Sequence, residues 1–172
     1  MQRSVWQWID IEARKLLPFG LTFIFVLYGV TPNHVPGFAQ VTPMYALICI
    51  YFWSVYRPDL FGYGSGFFIG VAEDLLTGAP VGSSVLAFLL TQWLIFNQHK
   101  FFYAKSFVVI WLVFAVIAAG AILVKWFCVG IVSEFGFARA EDLAGTCLVT
   151  ITLYPLFSWL LAKVQLTVLT NE

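Results

Sequence analysis

Two adjacent acids, Glu73 and Asp74, stand near the end of an apolar stretch, GFFIGVAEDLLTGAPVG, at residues 66–82. Carboxylates there could move protons, meet a partner, or sit solvated at a membrane edge. Neighbouring positions on a helix point about 100° apart. The two acids therefore do not make a convincing catalytic pair. Ser65, in Gly64-Ser65-Gly66, raises the question of a nucleophile, which would need a base within reach. His34 and His99 fall in separate connections, and no G-x-S-x-G elbow is present. Ser65 reads as a small interface residue. Asp10, Glu12, Asp59, Glu134, Glu141 and Asp142 are scattered without zinc or calcium spacing. Cys49, Cys128 and Cys147 are odd in number, lie in apolar runs and form no CxxC. Walker and dinucleotide fingerprints are also missing from the sequence. The expectation is a protein that is not an enzyme and has no metal or cofactor.

The elements that must position these residues are apolar. Of 172 residues, 61% are hydrophobic and only 10% charged, with a mean hydropathy of +0.90. Soluble domains carry about 25% charge, so this composition belongs in a bilayer. A net charge of zero gives no basic field for nucleic acid. The whole chain, 1–172, reads as one integral membrane domain, all-α and polytopic. Six crossings are expected, at roughly 16–31, 41–56, 60–76, 83–96, 106–133 and 143–162. Proline and glycine punctuate the connections at Pro32, Pro36, Pro43, Pro58, Gly78, Pro80 and Gly82. Residues 3–15 carry a two-faced pattern with Trp6 and Trp8 nearby, which predicts an interfacial helix before the first span. Lys125 falls inside the fifth apolar run, whose path around it stays open. With cytoplasmic termini, seven of the nine Lys and Arg lie inside and only Lys125 and Arg139 outside. Pro32–Pro43, Gly78–Gly82 and Glu134–Asp142 then face out.

Steps of four back from Asp74 reach Gly70, Gly66 and Gly62, and Gly78 follows it. These positions share one helix stripe, so another helix can approach closely there. Asp74 continues the stripe, either in contact with protein or solvated at the outer interface. Pro155 frees a backbone carbonyl in the sixth span and could kink it. A competing class is the solute-binding membrane subunit of a vitamin-type transporter. Few polar side chains stand mid-span to recognise a ligand, chiefly Thr91, Gln92, Thr150 and Thr152.

Nearly the whole chain resembles the bacterial rod shape-determining protein MreD family. The resemblance rests on Gly64-x-Gly66-Phe67-x-x-Gly70-x-x-x-Asp74-Leu75-x-x-Gly78-x-x-x-Gly82, on Thr42-Pro43 and on Tyr154-Pro155. The acid pair departs from the family's usual single acid, which is carried onto Asp74. The resemblance implies a non-catalytic inner-membrane scaffold of the elongasome, with both termini cytoplasmic. Its implied partners are MreC, and directly or indirectly MreB, RodA and RodA's partner transpeptidase, together with membrane lipids. It also implies a fold like the substrate-binding subunit of energy-coupling-factor transporters. On this reading Asp74, Pro80 and Gly82 could meet MreC on the outer side, and Arg57 could meet headgroups or cytoplasmic partners.

Overall fold

A computed structural model describes residues 5–31, 42–98, 105–132 and 140–169, with side chains described at 16–31, 42–98, 105–132 and 141–167. Six α-helices are present among them: α1 (Val5–Val30), α2 (Tyr45–Tyr56), α3 (Tyr63–Thr77), α4 (Ser83–Asn97), α5 (Phe107–Val132) and α6 (Ala140–Val164). A π-turn, Gln165–Leu169, extends the last one. The expected interfacial segment at 3–15 is continuous with α1 from Val5 on, across Pro18. Its two-faced pattern falls on side chains outside the described set. His34, His99, Lys100, Glu134 and Arg139 also lie outside the described residues.

Apart from the start of α1, the expected element positions agree with the helices to within a few residues, but their lengths sort them differently. Among the described residues, only α5 and the stretch Glu141–Thr167 are long and apolar enough to cross a membrane. Leu16–Val30, α2 and α4 are shorter apolar segments. Punctuation sets this limit. Pro58 follows the end of α2, and Gly78 in the left-handed region ends α3 (φ 68°). At 1.5 Å per residue, the 12 residues of α2 span only about 18 Å.

The short α2 is the core of the fold. Every residue from Tyr45 to Val55 is buried, so the helix is enclosed on all sides. It packs on α1, α4 and α6. The other five helices ring it in the order α1, α3, α4, α5, α6. Phe25 of α1 closes the ring against Phe157 of α6, with centroids 5.1 Å apart. Tyr51 of α2 anchors an aromatic stack, meeting Phe114 of α5 at 5.0 Å and Tyr154 of α6 at 5.6 Å. Its hydroxyl donates to the Ile110 carbonyl at 2.8 Å.

Pro155 sits inside α6, and the helix continues through it. A proline offers no N–H to the carbonyl four residues earlier. That carbonyl belongs to Ile151, and the Trp111 indole N–H of α5 donates to it at 3.0 Å. The freed acceptor thus becomes an α5–α6 tie. Trp111→Phe is expected to cost about 1 kcal/mol in the native chain and much less beside Pro155→Ala, where a backbone N–H competes for the same oxygen. A double-mutant cycle on unfolding in mixed micelles measures that difference.

Candidate functional site

The polar centre of the bundle is the α3–α4 hairpin. Gly82, the N-cap of α4, has a left-handed φ of 109° and no side chain to receive the first N–H groups of the helix. Asp74, at the end of α3, supplies the missing acceptor and is itself fully buried. Its Oδ2 accepts the Gly82 N–H at 2.7 Å. Its Oδ1 accepts the Ser84 N–H at 2.9 Å and the Ser83 hydroxyl at 3.0 Å. A carboxylate at the C-terminal end of its own helix is disfavoured by the dipole, but this one lies on the positive N-terminus of the next helix. Of the two readings for Asp74, the geometry is contact: a cap for α4 supplied from within the chain.

Glu73 has a separate role. Its Oε1 accepts from Lys125 Nζ of α5 at 2.6 Å and from the Ser84 hydroxyl at 3.3 Å. The side chains are 10% and 20% exposed, so the pair is largely desolvated. It also borders a cavity of about 180 Å³ near the α1–α2 connection, beside Phe25, Gly29, Met44 and Tyr45. The two acids diverge as their helix positions require, yet both reach Ser84, one through its backbone and one through its hydroxyl. Sequence reasoning left Glu73 and Lys125 unpaired. The signal was available: two opposite charges in apolar segments, each on the C-terminal half of its helix, are costly unless joined. The α5 helix runs without interruption through Lys125.

The glycine stripe divides into three roles. A Cβ on Gly70 would lie 2.6 Å from the Val85 Cα of α4, so backbone meets backbone there. A Cβ on Gly66 would collide with the Gln92 amide, whose Nε2 donates to the Gly62 carbonyl at 3.1 Å. Gly62 and Gly78 would meet nothing within 4 Å. Gly62 is the N-cap of α3, and Gly78 ends that helix. Gly70→Ala is therefore expected to destabilise by about 2–3 kcal/mol through overpacking against a backbone that cannot yield. Gly66→Ala should cost less, because a side chain can shift, and Gly62→Ala should be near neutral. Unfolding midpoints of the three variants give the ranking, and equal costs at Gly62 and Gly70 would contradict it.

The remaining expected site residues separate in space. Pro80 and Gly82 lie in the hairpin turn with Asp74. Arg57, the C-cap of α2, is at the opposite end of the bundle. Pro155 lines an apolar groove near that same end. Ser65 is half-buried near the start of α3. No group of three or more His, Cys, Asp or Glu that could hold a metal ion occurs among the described residues.

Fold and site together define an apolar helical bundle whose buried carboxylates hold its helices to one another. The model of the rod shape-determining protein MreD matches residues 13–164. The chain belongs to that family. An uncharacterized protein of Rickettsia prowazekii (strain Madrid E) is 28% identical over 95 residues, which are 55% of this chain and 53% of that protein. The chain thus spans about half the length of the curated relative it matches. No solved structure matches it.

Proposed function

We propose that the protein is a six-crossing scaffold of the bacterial inner membrane, with both termini cytoplasmic, that binds MreC and supports lateral peptidoglycan synthesis. The family match over residues 13–164 carries this reading. The excess of Lys and Arg at one end of the bundle supports the orientation. MreB, RodA and RodA's partner transpeptidase are the further components reached directly or through MreC. The six helices are also compatible with the architecture of the energy-coupling-factor binding subunits, and that likeness is part of the proposal.

The partner-facing element is the α3–α4 turn. Asp74 is consumed in holding the turn, so recognition falls to the residues it displays. Val81 at the tip is 67% exposed, and Pro80 stands beside it. Arg57, at the other end, is offered to headgroups or cytoplasmic partners. Val81→Glu is expected to lower MreC recovery at least fivefold while leaving the unfolding midpoint within error.

Affinity purification of the detergent-solubilised chain from its native membrane, followed by mass spectrometry, tests the assignment. Recovery of MreC with RodA and its transpeptidase is the expected result. Recovery of an ATPase pair with a coupling subunit, and no wall-synthesis protein, would overturn it.

A further inference from the structure

We infer that the groove between α2, α5 and α6 binds one acyl chain of an anionic phospholipid, with Lys163 holding the headgroup phosphate at its mouth. The inference rests on the membrane reading above. The groove has a physical origin in α6. Pro155, Ser158 and Ala162 recur at helical spacing, so one face of the helix is nearly flat. Opposite them stand Phe52 and Tyr56 of α2 and Phe107 of α5. Small residues facing large rings leave about 460 Å³ unfilled. The opening is aromatic and uncovered: Trp159 is 63% exposed and Phe107 44%.

Charge selects the occupant. Lys163 lies one turn beyond Trp159, is exposed, and holds its Nζ 5.2 Å from the centre of the Trp159 ring. That contact keeps an ammonium at the rim of the groove. Arg57 directly follows Tyr56, and Lys105 precedes Phe107 by two residues. Among residues at this end whose side chains are described, there are three cations and one carboxylate, Asp59. An apolar slot with a cationic rim, at the end that the excess of Lys and Arg makes cytoplasmic, matches a phospholipid with net negative charge. A zwitterionic lipid could enter the slot but gains less at the rim.

Tryptophan quenching tests this with the full chain in phosphatidylcholine nanodiscs. The probes are dibrominated phosphatidylglycerol and dibrominated phosphatidylcholine, whose heavy atoms quench an indole on contact. The signal absent from Trp159→Phe is assigned to Trp159. It is expected to be half-quenched at a mole fraction of the brominated anionic lipid at least threefold below that of the zwitterionic one. Lys163→Gln should bring the two values together, and Lys163→Arg should keep them apart. Lys163 is exposed, so neither change disturbs the core, and each variant is compared with its own unquenched signal because Lys163→Gln also takes the cation off the Trp159 ring. Equal quenching by both lipids in the native chain would overturn the site and leave only bulk lipid around α6. Quenching of no tryptophan by either lipid would overturn the membrane reading and this site with it.

Discussion

Asp74→Asn is expected to be among the most destabilising single changes in this chain, costing about 3 kcal/mol, and Asp74→Ala about 4 kcal/mol. The carboxylate accepts from two backbone N–H groups and one hydroxyl, and it is fully buried. Hydrogen bonds to a charged group contribute roughly 1.5–3 kcal/mol each, and orphaned buried donors add their own desolvation cost. An asparagine keeps one acceptor oxygen but turns an NH₂ toward donors that need an acceptor. Ser83→Ala removes only one donor and should cost about 1.5–2 kcal/mol. Equilibrium unfolding of the purified variants in mixed micelles gives the order. An Asp74→Asn variant within 0.5 kcal/mol of the native chain would show that α4 is capped by something else. Asp74 acts on the shape of the turn, so the variant should also lose MreC recovery only in proportion to folded protein. Val81→Glu should lose recovery with the fold intact. That contrast separates a residue that builds the surface from one that forms it.

Much of this was legible in the sequence because punctuation is local. Gly78, Pro80 and Gly82 announce a tight turn, and the observed hairpin sits there with two left-handed glycines. Four-residue spacing placed Gly66, Gly70 and Asp74 on one face, and that face meets α4. The spacing could not separate Gly70, pressed on backbone, from Gly62, which meets nothing. Both fall on the same four-residue spacing, and only the crossing of the two helices distinguishes them. Composition announced an apolar helical protein, but not that the shortest helix would be its centre. The segment 45–55 is apolar on every face, and such a pattern fits a lipid-facing span and a fully enclosed helix equally. The partner of Asp74 stayed open for a related reason. Its unfavourable place on α3 is visible in the sequence, whereas its favourable place on α4 depends on the chain folding back at Gly82.

The Glu73–Lys125 pair is expected to show strong coupling of unequal origin. Lys125→Met leaves the Glu73 carboxylate with the Ser84 hydroxyl at 3.3 Å as its remaining described donor. Glu73→Gln leaves an ammonium beside the cavity. Breaking a fully buried pair costs about 3–5 kcal/mol. Residual exposure of both groups brings the expected single-variant costs down to about 2–3 kcal/mol. The double variant Glu73→Gln with Lys125→Met removes both charges and should lie within about 1 kcal/mol of the native chain. A coupling near zero in the double-mutant cycle would mean that the two charges do not meet in the folded protein. The pair is largely withdrawn from solvent, so raising salt should change the coupling little, whereas an exposed pair would weaken. Exchanging the charges, Glu73→Lys with Lys125→Glu, should not restore stability. The new ammonium would sit beside the N-terminus of α4, where the helix dipole is positive and the Ser84 N–H already points at Asp74. The polarity of the pair is therefore set by α4, the same helix end that fixes Asp74.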